Sequence, residues 1–162
     1  MLVWLTDWQV AEDLVLIRVG DVVDWTLYEA DQSWLSRLFA SRLFVEWQFD
    51  TYADAEERAS RHVRGEVIEL QSARCRQVTT NEGRVPVAGE AQLSPVEDTS
   101  ASWMRQTWQA ESEPNQNVRK SYSFGYFASD SDDDEIDYLY GYVLSLKLND
   151  DGLADRPTSL LE

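Results

Sequence analysis

"DYLYGYVLSLKL", residues 137 to 148, places Tyr138, Tyr140, Tyr142, Leu144, Leu146 and Leu148 at every second position. Side chains of a β-strand repeat with that period, whereas a helix would scatter the same residues around its axis. Upstream, "SYSFGYF" (121–127) repeats the pattern with Tyr122, Phe124 and Tyr126. The two runs read as the arms of an antiparallel hairpin whose aromatic face is a core face or a half-buried cross-strand ladder. Aromatic cross-strand pairs contribute up to about 1 kcal/mol each. A binding platform is the alternative use of the same face.

Between the arms, residues 130–137 carry six acidic side chains in eight positions. Asp130, Asp132 and Asp134 match positions 1, 3 and 5 of a calcium loop, but Glu135 replaces the glycine of position 6 and Gly141 the glutamate of position 12. The calcium template therefore fails at its two diagnostic places. As a turn, the run is a hairpin loop kept in solution by self-repulsion. As a recognition element, Asp132, Asp133, Asp134 and Glu135 present a concentrated negative charge to a basic partner, or contribute to mimicry of a phosphate backbone.

Further towards the N-terminus the chain also favours strands. "MLVWLTDWQ" and "LVLIRV" are apolar, β-branched and aromatic runs, and Gly20-Asp21 signals a turn into the alternating "VVDWTLYE". The expectation is two strands around that turn. "DQSWLSRLFASRLF" then changes period: Asp31 is placed as an N-cap, with Trp34, Leu35, Leu38 and Phe39 at helical spacing. "FVEWQFDTY" returns to alternation, with Val45, Trp47 and Phe49 on one face. "GEVIELQ" continues it, and "ARCRQV" is expected to pair back onto that strand. Residues 80–118 hold loop composition, with Gly83, Pro86, Gly89, Pro95 and Pro114. So long an excursion calls for a short strand near "EAQLSPVE" and a helical turn near "SASWMRQTW". Trp103 and Trp108 either anchor it to the body or recognise a partner, since tryptophan is favoured at interface hot spots.

The sequence is predicted to form a mainly β fold, a small antiparallel, partly open SH3-like barrel with one short inserted helix; α+β is the alternative. Residues 1–148 form one β-rich domain and 149–162 a polar tail. "VGDVVDW" followed by "VRGEVIEL" is similar to the first strands of small SH3-like barrels, which implies a binding scaffold.

A chain of 162 residues is the usual size of one domain and buries roughly 70% of its unfolded surface. A hydrophobic fraction of 43% with seven tryptophans argues against disorder. The formal charge of −16 opposes direct nucleic-acid binding, because the field of the chain repels phosphate. Residues 58–84 stand apart, with six arginines against three acids. Arg58, Arg61, Arg64, Arg74 and Arg76 are expected to pair with surrounding carboxylates, a basic patch being the alternative. The N-terminal run lacks a basic n-region and is too short to span a bilayer, so a cytoplasmic protein with no membrane association is expected.

Catalytic signatures are sparse. His62 is the only histidine and lies among arginines. Cys75, between Arg74 and Arg76, is either a thiolate favoured by positive charge or an inert core cysteine. No nucleophile motif, phosphate cradle or metal-ligand spacing is present, so no cofactor and no metal is expected. The expected function is an acidic, non-enzymatic interaction protein that binds a basic partner protein as an inhibitor, immunity-type protein or regulatory adaptor. The partner-binding candidates are Trp103, Trp108, Asp132, Asp133, Asp134 and Glu135. The alternatives are a nucleic-acid mimic that blocks a DNA-binding protein and a small hydrolase with a carboxylate pair.

The segments "VWLTDWQ", "RVGDVVDWTL", "SARCRQV", "RVPVAGEAQLSPVEDTSASW" and "YGYVLSL" resemble the successive landmarks of an uncharacterised family of small actinobacterial proteins. The matching positions are Val3, Trp4, Asp7, Trp8 and Gln9; Gly20, Asp21, Val23 and Trp25; Cys75 and Arg76; Val85, Pro86 and Gly89; and Gly141 and Tyr142. The family pattern has Cys-Cys-Gly after the first motif where this chain has "VAEDLVL" (10–16), so a thiol role at that place is absent. The resemblance implies no activity, cofactor or catalytic residue.

Overall fold

A computed structural model describes residues 1–50, 58–81, 83–103 and 137–149. Its centre is the strand of alternating tyrosines and leucines, β8 (Tyr138–Leu148). β8 lies between β1 (Leu2–Thr6) and the long β4 (Ser60–Cys75), antiparallel to both. β2 (Val22–Glu29) pairs with the first part of β4 and with β3 (Trp47–Phe49), and β3 runs parallel to β1. The pairings therefore run β2-β3-β1-β8-β4 and return to β2. β7 (Gln92–Pro95) extends the sheet along the second part of β4. β5 (Gln77–Thr80) and β6 (Gly83–Pro86) form a separate two-stranded hairpin. The mainly β class expected from sequence is what the chain adopts.

Alternation assigns each strand two faces. On β1, Val3 and Leu5 join a core within the ring of strands, with Val23, Leu27, Val63, Val67, Tyr142, Leu144 and Leu146. The intervening Trp4 joins a second core outside it. That second core is closed by helix α2 (Gln32–Phe39), which buries Leu35, Leu38 and Phe39 against Trp4, Val45, Ala73, Cys75 and Val143. Full burial of side chains of this size is worth about 1.5–3 kcal/mol each. The helix starts where the sequence placed its cap: the Asp31 carboxylate accepts from the backbone N–H groups of Ser33 and Trp34, both at 3.0 Å.

Two bulges correct the simple period-2 reading. Between Val67 and Glu69 the register against β8 slips by one residue, and Ile68 is left exposed. Between Ala73 and Arg74 it slips again: Ala73 faces Gly141 but Arg74 faces Leu139, which leaves Tyr140 as the extra residue. An extra residue in one strand reverses the faces beyond it. The tyrosines expected on one face are thus divided. Tyr142 is buried in the inner core, as is Leu139, while Tyr138 and Tyr140 turn outward and remain half-exposed.

Other expectations are corrected. "MLVWLTDWQ" is not one strand, because helix α1 (Asp7–Glu12) begins directly after β1. Asp7 in its first turn suits the positive end of the helix. "LVLIRV" makes no strand beside β2; only Arg18 forms a bridge, to Asp98. The turn at Gly20, with φ of 94°, is present, but it delivers β2 to β4 instead of to its own predecessor. "GEVIELQ" and "ARC" are parts of one continuous strand and do not pair back on each other: the first part of β4 pairs with β2 and the second with β7, with the bulge at Ile68 between them. Val45 is separated from Trp47 and Phe49, entering the outer core while they pack on the inner one.

The 80–118 excursion contains the expected strand as β7, and residues 101–103 are helical. It is tied to α2 by the backbone N–H groups of Gly89 and Ala91, which donate to the carbonyls of Arg37 and Leu38, and to the turn after α2 by Arg42, whose guanidinium donates to the carbonyls of Gly89 at 2.6 Å and Ala91 at 2.7 Å. The strand expected over Tyr122, Phe124 and Tyr126 lies outside the described residues, as does the tail beyond residue 149.

Candidate ligand cleft

Four segments distant in sequence converge at one side of the sheet. The end of β1 and start of α1 bring Trp4, Thr6, Asp7, Trp8 and Gln9; the start of α2 brings Asp31 and Trp34; β3 and its continuation bring Gln48 and Asp50; β8 brings Tyr138, Leu139 and Tyr140. They enclose a cleft of about 350 Å³, within the size range of small-ligand sites.

The bulge in β8 builds one wall. Tyr140 meets Trp34 edge-on at 5.7 Å between ring centres and Tyr138 at 5.0 Å. Its hydroxyl is held by Gln77, which donates through Nε2 at 3.0 Å. Trp4 contributes from below, wedged edge-on against Phe39. Trp8 stands at the rim, about half-exposed.

Three aspartates interrupt the aromatic lining, each held differently. Asp31 accepts the two α2 backbone N–H groups and the Ser33 hydroxyl. The Trp34 N–H bond is the largest of the influences that hold its carboxyl below the ordinary aspartate range, so it stands as an anion. Gln48 orients the second: its Oε1 accepts from the Asp31 backbone N–H at 3.1 Å and its Nε2 donates to Asp50 at 3.0 Å. Arg58 also pairs with Asp50, with its guanidinium 5.9 Å from the centre of the Tyr28 ring. Asp7 is buried, and the Ser102 hydroxyl donates to it at 2.5 Å. Among the described residues these carboxylates do not converge as a metal-ligand group. No lysine, arginine or histidine is among the described residues that line the cleft.

Of the partner-binding residues singled out from sequence, Trp103 alone is among the described residues. Trp103 is half-buried, its indole nitrogen enclosed with no hydrogen-bond partner among the described residues, and it does not line the cleft. Trp108, Asp132, Asp133, Asp134 and Glu135 lie outside the described residues. The arginine island pairs in part as expected: Arg58 with Asp50, and Arg76 with Glu90 at 2.6 Å. His62 contacts Asp24 at 2.9 Å on the open surface. Cys75 is buried with its thiol on the Val87 carbonyl, and burial pushes its pKa up, against the thiolate reading.

Sequence reasoning identified Asp31 as a cap and Trp34 as a helical residue without seeing that the cap faces a cavity. The readable signal was the density of aromatic and polar residues in "VWLTDWQ", which supplies five lining residues.

Fold and cleft together define a mainly β protein with an aromatic, acidic recess where the end of β1 meets the start of β8. The chain belongs to a family of unknown function, DUF6578, which it matches over residues 1–147. No curated protein matches it. No solved structure matches it either. Among the described residues no helix is long and apolar enough to cross a membrane.

Proposed function

We propose that this is an acidic, non-enzymatic interaction protein of the cytoplasm that binds a basic partner protein, using a β scaffold of the kind SH3-like barrels provide. One observation carries the reading: the 350 Å³ cleft is lined by tryptophan, tyrosine and aspartate, with no basic side chain among its described lining residues. Such a recess attracts a cation twice, through the negative faces of the rings and through the carboxylates. The charge of −16 adds long-range attraction that speeds encounter with a basic partner.

The test is calorimetric titration of the full chain with an unstructured lysine- and arginine-rich peptide and with an acidic peptide of equal length, at low and at physiological salt. Saturable binding of the basic peptide alone, weaker in Trp34→Ala, supports the reading. Equal binding by Trp34→Ala, or no binding, defeats it.

A second reading, a small hydrolase with a carboxylate pair, is favoured by the presence of Asp7, which is buried, and Asp50, which is half-buried, at the same cleft. It requires one acid that keeps its proton near neutral pH. Asp31, held as an anion, does not serve that role.

A further inference from the structure

We infer that the cleft is an arginine site: it receives the guanidinium of an arginine side chain in preference to an ammonium group. The inference rests on the reading of the protein as a binder of basic partners and deepens it.

The lining is rich in hydrogen-bond acceptors as well as in rings. Asp7, Asp31 and Asp50 reach the cleft from three different segments, each carboxylate fixed in place by hydrogen bonds within the chain. A guanidinium presents five N–H donors in a planar fork and can lie against an aromatic face while donating at its edge. An ammonium is compact and strongly hydrated, and it has no planar face to lay against the rings. The walls provide the faces: Trp34, Tyr138 and Tyr140 stand in contact as a continuous aromatic surface.

The protein already uses this chemistry at the edge of the same site. Asp50, a lining residue, holds the chain's own Arg58, whose guanidinium also lies over the Tyr28 ring. A carboxylate at the edge and an aromatic ring at the face are therefore how one guanidinium is bound beside the cleft. The same two elements stand within it.

The probes are three pentapeptides, Gly-Gly-Xaa-Gly-Gly with blocked ends, in which Xaa is arginine, lysine or citrulline. Citrulline keeps the shape of arginine and removes the charge. Binding to the full chain is followed by tryptophan fluorescence and calorimetry, beside the longer basic peptide. The expected result is arginine over citrulline by about tenfold or more, the scale of a desolvated cation–π contact, and arginine over lysine by several-fold. Asp31→Asn, which keeps an oxygen for the helix cap, and Trp8→Ala, at the exposed rim, should each reduce that preference. Equal binding of arginine and lysine peptides overturns the arginine assignment and leaves the basic-partner reading standing. Binding of the long peptide with no binding of any pentapeptide does the same. If neither the pentapeptides nor the long peptide bind, both fall.

Discussion

A side chain at residue 141 would occupy the place of the Trp4 ring: a β-carbon built on Gly141 stands 2.6 Å from Trp4 Cζ2 and 2.2 Å from the Leu5 carbonyl oxygen. The glycine lets β1 and its tryptophan close against β8 one residue beyond the bulge that turns Tyr140 into the cleft.

Gly141→Ala therefore forces apart two paired strands and displaces the floor of the cleft. Overpacking of this kind costs about 1–3 kcal/mol and more when backbone is the obstacle, and at Gly141 we expect about 3 kcal/mol or more by urea unfolding. A loss under about 1 kcal/mol would show that β1 and β8 can separate freely.

Asp7 is secured by a buried hydroxyl network. Ser102 donates to it, and the Tyr142 phenol shares its one proton between Ser102 Oγ at 2.9 Å and the Thr99 carbonyl at 3.2 Å. Burial pushes the Tyr142 pKa up, so the phenol stays protonated and keeps donating. Ser102→Ala removes a donor from a buried carboxylate and is expected to cost about 1–3 kcal/mol. Tyr142→Phe is expected to cost about 1 kcal/mol. Chemical unfolding of the two variants and their double mutant should show non-additivity, because they share one network.

The Asp31 cap gives the protein an acid-sensitive element. Its folded-state pKa lies below the unfolded value, so its stabilisation is complete above the ordinary aspartate pKa of about 3.9. It fades as pH falls through the lower folded value. Asn at the same position caps the helix without titrating. Thermal unfolding from pH 6 to pH 2 should show the advantage of the native chain over Asp31→Asn shrinking below about pH 4. A difference constant across that range would mean that the charge of Asp31 contributes nothing.

Cys75 is enclosed by the outer core with its thiol proton retained. Alkylation by iodoacetamide at pH 8 should be slow in the native chain and rapid in denaturant. Fast native labelling would contradict the packing of α2 over β4.

Local chemistry made some of this fold legible and left the rest unreadable. The cap and periodicity of α2, the alternation of β2 and the short strand within "EAQLSPVE" all depend on neighbouring residues, and sequence shows them. The helix at Asp7–Glu12 was hidden because six residues are too few to display a helical period beside an apolar strand. The bulges in the β4–β8 pairing were hidden because register belongs to two strands at once. With them went the division of Tyr138 and Tyr140 from Tyr142, on which the cleft depends. Its lining comes from residues 4–9, 31–34, 48–50 and 138–140, and only the closing of the sheet brings those segments together.

The tryptophans can report directly on docking of a basic partner in the cleft. Trp4, Trp8 and Trp34 line it, whereas Trp25 and Trp47 pack on the inner core, Trp25 stacked on Phe49 at 4.6 Å. With the indole nitrogens labelled and assigned by single substitutions, titration with the basic peptide should move the NMR signals of Trp8 and Trp34 in a saturable way and leave Trp25 and Trp47 in place. Shifts confined to Trp25 and Trp47, or no shift under saturating peptide, would contradict it.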